Sequence, residues 1–124
     1  MKRILVADDE EILRMLICDS LEDLGFEIDE AEDGADALEK VTSTSYDLLI
    51  LDYMMPELTG LEVIERLPAD VKARTPILML TAKAQEADRQ QAIDKGANYF
   101  MSKPFSPVEL IAFVEELLHD KTNG

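Results

Sequence analysis

The chain has 124 residues, a common size for one compact domain that buries about two-thirds of its unfolded surface without disulfide or metal staples. Asp and Glu total 27 against 12 Lys and Arg, a net charge of −15 that repels a phosphate backbone and weighs against direct nucleic-acid binding. One cysteine, Cys18, leaves no internal disulfide to form, the apolar runs fall far short of the ~18 residues of a membrane span, and the N-terminus turns acidic too soon for a signal peptide. The expectation is a soluble cytoplasmic protein without membrane contact.

Five apolar runs punctuate the chain in order: ILVA at 4–7, FEIDEA at 26–31, DLLIL at 47–51, PILML at 76–80 and NYFM at 98–101. Each predicts a strand. After the first, Leu13, Ile17, Leu21 and Leu24 recur at helical spacing, with Cys18 a small buried hydrophobe beside them and Gly25 a stop. The second run alternates and reads as an edge strand, whereas the third and fourth are continuously apolar, as strands covered on both faces are. AQEADRQQAIDK at 84–95 predicts a helix that packs weakly, because its apolar content is three Ala and one Ile. SPVEL opens the last helix: Ser106 caps, Pro107 suits the first position, and Glu109 can complete a capping box before the stripe of Leu110, Val114, Leu117 and Leu118.

Repeated βα units with right-handed crossovers, too few for an eight-fold barrel, predict an α/β flavodoxin-like (βα)5 doubly wound sandwich on a five-stranded parallel sheet. In such sheets ligands bind at the carboxyl ends of the strands. There the first strand delivers Asp8 and Asp9, the third Asp52, the fourth Thr81, and Lys103 with Pro104 follow the fifth. Two carboxylates about 4 Å apart repel by roughly 4 kcal/mol at an effective dielectric of 20, so a cation should join them. Hard oxygen ligands with no nearby His or Cys favour Mg²⁺, or Mn²⁺ in its place. Asp8 or Asp9 can also cap the first helix, with Glu10 and Glu11 in its first turn as ordinary helix-start acids. Lys103 and Thr81 go beyond what a metal site needs. An ammonium and a hydroxyl beside Mg²⁺ make a receptor for a phosphoryl group, and Asp52, at the end of the central strand before the loop YMMPELTG, is the candidate nucleophile.

ILVADDEE, LLILDYMMPELTG, PILMLTA and GANYFMSKPF, in this order and spacing, resemble the receiver domain of two-component response regulators over essentially the whole chain. The resemblance implies strand order 2-1-3-4-5. It implies that Asp52 accepts a phosphoryl group from a phosphohistidine, that Asp9, Asp52 and the Met54 backbone carbonyl bind Mg²⁺ directly, and that Asp8 acts through metal-bound water. Lys103 would pair with the phosphoryl oxygens, Thr81 would turn to hydrogen-bond one of them, and Phe100 would swing inward with it. Met54 and Lys83 would tune the phosphoryl lifetime; Met55, Pro56, Gly60 and a cis Pro104 would be scaffold; Tyr99 would face the other side of the sheet. The implied protein is a monomer or weak dimer, a self-phosphorylating and self-dephosphorylating switch and not a turnover enzyme. Its partners would be a sensor histidine kinase or phosphotransfer protein and a downstream protein target. Residues 1–120 would form the receiver and 121–124 a polar tail, and the chain reads as a stand-alone regulator ahead of a receiver cut from a longer protein.

Two other functions are weighed against this one. A Mg²⁺-dependent phosphatase with an aspartyl nucleophile places a second Asp two residues on, where this chain has Met54. A flavin or nucleotide module needs glycines and donors after the first strand, where this chain has DDEE.

Overall fold

The computed structural model describes residues 2–82 and 89–118. Five strands, β1 (Arg3–Ala7), β2 (Glu27–Ala31), β3 (Leu48–Asp52), β4 (Ile77–Thr81) and β5 (Tyr99–Ser102), pair in parallel in the order β2-β1-β3-β4-β5. Six helices are described: α1 (Glu11–Glu22), α2 (Gly34–Ser43), α3 (Gly60–Arg66), α4 (Ala69–Arg74), α5 (Arg89–Lys95) and α6 (Pro107–Leu117). The expected order and edge position of β2 hold. The second, third, fourth and fifth strands start and end one residue later than expected, except that β2 keeps its end at Ala31; Asp52 and Thr81 are thereby the last residues of β3 and β4.

Strand alternation sorts the core into two layers. Leu5, Ala7, Leu49, Leu51, Ile77 and Met79 pack on the side of α2, α3, α4 and α5, whereas Ile4, Val6, Leu48, Ile50, Leu78 and Leu80 pack on the side of α1 and α6. Every one of these twelve side chains is fully buried, which explains why these strands read as continuous apolar runs. β2 is the least covered strand apart from β5, and of its residues only Ala31 is buried.

Local chemistry accounts for the boundaries. The crossover between β3 and β4 carries two helices where five βα units predict one, because Pro68 lacks an N–H and disfavours helical backbone at Leu67, which is extended at ψ 136. Thr59 caps α3 in a complete capping box with Glu62, a Thr-x-x-Glu signature present in the sequence but not singled out there. At α6, Ser106 accepts from the Glu109 N–H at 3.1 Å and Pro107 takes the first position; only that half of the expected box forms. Leu24 departs from expectation: α1 ends at Glu22, and Leu24 lies beyond it, exposed, ahead of Gly25 at φ +93. Leu118 likewise sits just past the end of α6, partly buried against the α1 and α6 layer with Leu117. Cys18 is buried, and burial pushes its thiol up to about 12. In α5 only Ala92 is buried and Ile93 is exposed, the weak packing its composition predicts; residues 84–88 of that expected helix lie outside the described residues.

Gly60 brings the loop after β3 back onto its strand. Its N–H donates to the Tyr53 carbonyl at 2.8 Å, and a Cβ there would stand 2.5 Å from the Asp52 carbonyl oxygen. Backbone cannot yield as a flexible side chain would. Gly60→Ala should therefore destabilise the protein by on the order of 2–4 kcal/mol in urea unfolding, an effect that a surface substitution such as Ala73→Gly should not approach.

Candidate functional site

The parallel register builds the site. Ala7 pairs with Leu51 and Asp52 with Leu80, so the step beyond Ala7 sets Asp8 beside Asp52 on the neighbouring strand. Neighbouring strands lie about 4.8 Å apart, and their in-register side chains land about one such spacing from each other. Asp8 is then bent by its own side chain: the Glu10 N–H donates to Asp8 Oδ1 at 2.9 Å, which turns the chain and swings Asp9 toward the same point. One carboxylate oxygen from each of Asp8, Asp9 and Asp52 lies within 4.8 Å of the others. Asp8 and Asp52 are buried and Asp9 is exposed.

Lys103 closes the fourth side. The Lys103 N–H donates to the Thr81 carbonyl at 2.6 Å, extending the β4–β5 ladder past Ser102, and the Lys103–Pro104 bond is cis as expected. Its Nζ lies 3.3 Å from Asp8 Oδ2, 3.3 Å from Asp52 Oδ1 and 3.5 Å from Glu10 Oε2. One ammonium thus faces three acidic side chains. Asp8 Oδ2 is fully buried and accepts no hydrogen bond, its contact with Lys103 being ionic only. A buried carboxylate oxygen without a donor is the position at which a divalent cation, or water bound to one, fits.

The electrostatics follow. Burial pushes Asp52 up to about 7, repulsion from Asp8 adds to it, and Lys103 pulls it partly back. Asp8 is also raised, again chiefly by burial, against the Glu10 N–H and Lys103. For Lys103 burial opposes the charge, but Asp52, Asp8 and Glu10 outweigh it and hold the ammonium above its ordinary range.

Thr81 is buried at the end of β4. Phe100 registers with Met79 and so lies on the same sheet face as Thr81; it is half-buried, and the Arg89 guanidinium stands 4.9 Å above its ring. Tyr99 points to the opposite face and meets Phe113 of α6 edge-on at 5.6 Å, as expected. Met54 is exposed and lines the cleft with Asp9, Glu10, Asp52, Ala82 and Lys103. A broader, more apolar groove of Leu13, Pro104 and Phe105 adjoins it, sharing Glu10, Ala82 and Lys103. Lys83 lies outside the described residues.

Three acids depart from their expected roles. Asp8 and Asp9 do not cap α1, whose N-cap is Glu10 without a side-chain bond; Asp8 instead makes the turn before it. Glu10 is accordingly not a first-turn acid but a third partner of Lys103, a contact that 93 residues of separation hide from local reading. Glu11 keeps its place in the first turn.

The profile of the response regulator receiver domain matches residues 4–115. The chain belongs to the response regulator receiver domain family. Transcriptional regulatory protein ResD of Bacillus subtilis is 45% identical over 116 residues, which cover 94% of this chain and 48% of ResD. PhoB, the phosphate regulon transcriptional regulatory protein of Escherichia coli, is 38% identical over 118 residues, covering 94% of this chain and 52% of PhoB. This receiver spans about half the length of these relatives. Chemotaxis response regulator CheY4 of Vibrio cholerae superposes with a TM-score of 0.87 at 33% identity, over 95% of this chain and 99% of that one. The receiver domain of a Pseudomonas aeruginosa sensor histidine kinase, with a magnesium ion coordinated in its active-site cleft, superposes at 0.82 with 26% identity, over 96% and 98% of the two chains.

Because the Asp52 carboxyl is raised on folding, the unfolded chain ionises it from about pH 4 and the folded, metal-free receiver only near about pH 7, so the cost of this carboxylate to stability accumulates across that window and is constant above it. Asp52→Asn removes the charge. In chelator, urea unfolding should give no gain for this variant below about pH 4 and a rising gain with pH. The gain should level off above about pH 7 at on the order of 1–2 kcal/mol.

Proposed function

We propose that Asp52 accepts a phosphoryl group from a phosphohistidine of a sensor kinase or phosphotransfer protein, in a Mg²⁺-dependent reaction, and that the resulting charge switches protein–protein contacts. One observation carries this reading: a single lysine within 3.3 Å of both Asp8 and Asp52, at the mouth of a three-carboxylate cluster on the carboxyl edge of the sheet. Asp9, Asp52 and the Met54 carbonyl would hold Mg²⁺, with Asp8 acting through water. The buried, donor-less oxygen of Asp8 supports that division. A bound Mg²⁺ offsets the carboxylate repulsion and the charge of the phosphoryl oxygens.

In the transfer an Asp52 oxygen forms a bond to phosphorus as the phosphorus–nitrogen bond breaks, and the departing imidazole keeps the electron pair and takes a proton from water. Lys103, already beside Asp52, neutralises the transferred group. Thr81 then turns its hydroxyl to a phosphoryl oxygen and Phe100 follows. Phosphorylation adds about −2 charge at a site that already repels its own acids, which is the driving force for a second arrangement. Met54 at the cleft and Lys83 after the threonine tune how long the group survives attack by water.

The receiver is a switch and not a turnover enzyme on this reading, and it occupies residues 1–120. No helix among the described residues is long and apolar enough to cross a membrane, which supports a cytoplasmic setting. Monomer or weak dimer is the expected state.

Incubation with Mg²⁺ and acetyl phosphate should add one labile phosphoryl group by intact mass. The gain should disappear in EDTA and in Asp52→Asn, and Lys103→Met should slow it by roughly 10–100-fold. A phosphoryl group that persists in Asp52→Asn would overturn the assignment.

A further inference from the structure

Arg14 belongs to no motif singled out in the sequence, yet its side chain is only 14% exposed and reaches from α1 to the ends of two strands. Its Nη1 donates to the Asp8 carbonyl at 2.7 Å and its Nε to Glu30 Oε1 at 2.9 Å. Glu30 is held in turn, its carbonyl accepting from Lys40 Nζ, while Lys40 pairs with Asp36 at 3.2 Å. Around Asp8 each backbone group has a partner: the N–H donates to the Ala31 carbonyl at 3.2 Å, and the carbonyl accepts from Arg14. The carbonyl matters most, because it belongs to the peptide unit that leads into Asp9. Rotation of that unit would move the Asp9 carboxylate away from Asp8 and Asp52. Asp9 is exposed, so burial does not fix its carboxylate there.

We propose that Arg14 is a positioning residue for the acidic site, holding the Asp8–Asp9 peptide so that both carboxylates bear on one cation and thereby setting the affinity for Mg²⁺. This inference rests on the Mg²⁺-dependent reading of the site. Arg14 also lines a hollow with Asp9, Glu11, Glu32 and Asp33, and as a fixed positive charge it would by itself repel a nearby cation. The two roles therefore have opposite signs. If Arg14 acts only as a charge, its removal tightens Mg²⁺ binding; if it positions the peptide, its removal weakens binding.

Mg²⁺ titration of the unphosphorylated protein, followed by the amide resonances of Asp9 and Asp52, separates them. Arg14→Met keeps the apolar stem and should raise the Mg²⁺ dissociation constant by about tenfold, the usual scale for groups that orient a metal ligand. Arg14→Lys retains one donor and should recover part of the loss. In acetyl phosphate assays the half-saturating Mg²⁺ of Arg14→Met should rise by a similar factor, while the rate at saturating Mg²⁺ returns toward that of the unaltered protein. A merely structural residue would lower stability without that split. Should Arg14→Met fail to fold, Glu30→Gln, which loosens Arg14 without removing it, should still weaken Mg²⁺ binding severalfold. Unchanged or tighter Mg²⁺ binding in the folded variants overturns the inference alone, whereas absence of a Mg²⁺ response in the unaltered protein overturns the proposed function with it.

Discussion

Repulsion among Asp8, Asp9 and Asp52 is the constraint around which the rest of this receiver is arranged. Parallel pairing sets the first and third strand ends side by side, and a pair of charges 4.8 Å apart repels by about 3.5 kcal/mol at an effective dielectric of 20. A single ammonium cannot satisfy three carboxylates and Glu10 together. The site is therefore left strained in charge, and this repulsion adds to the burial that pushes Asp52 up to about 7. It persists because its supports are backbone: the central strands β1, β3 and β4, the Gly60 N–H on the Tyr53 carbonyl, and the Lys103 N–H on the Thr81 carbonyl. A gain or loss of charge at this point changes the balance of the whole cluster at once.

The two-layer core gives that change a direction. Asp52 follows the alternation of Leu48 and Ile50, whose layer is shared with α1 and α6, whereas Thr81 follows Ile77 and Met79 toward α2 through α5. Phe100 lies on the Thr81 side, under Arg89 at the start of α5. Of the described helices on that side, α4 and α5 have one buried residue each, Val71 and Ala92. Low burial makes an element inexpensive to shift. On the proposed reading, a phosphoryl group at Asp52 acts on the layer that carries Thr81, Phe100 and the thinly buried α5, and the α1 and α6 layer serves as the fixed half.

Much of this was legible in residue order. Continuous runs identified the buried strands, alternation identified the edge strand, and strand-end rules placed Asp8, Asp9, Asp52, Thr81 and Lys103 at one edge, where the structure brings them together. Less legible was anything that depends on one backbone angle or one distant contact. Leu24 fits the α1 spacing but falls after the helix has ended, since periodicity does not mark where backbone hydrogen bonding stops. Pro68 announces a break, yet whether two short helices follow depends on Ala69–Arg74 finding a place for Val71 in the core. The Thr59–Glu62 capping box, by contrast, is a local Thr-x-x-Glu pattern. Arg14 carried no signal at all, because an arginine on a helix is ordinarily a solvated residue and only the positions of Asp8 and Glu30 make it otherwise.

By itself, then, the sequence determined the layering, the parallel sheet and the identity of the groups at its carboxyl edge, since apolar period and strand-end chemistry are local properties. Only the tertiary structure decided how those groups share charge. Glu10 joins Lys103 across 93 residues, Asp8 makes a turn where it was read as a helix cap, and Arg14 grips the peptide between the two adjacent acids. The Glu10–Lys103 contact, at 3.5 Å, joins segments far apart in the chain, whereas the 2.9 and 2.7 Å contacts of Asp8 are near in sequence and depend on where the strand end and the first helix are set. Such distances are set by register and packing, and no local pattern of residues encodes them.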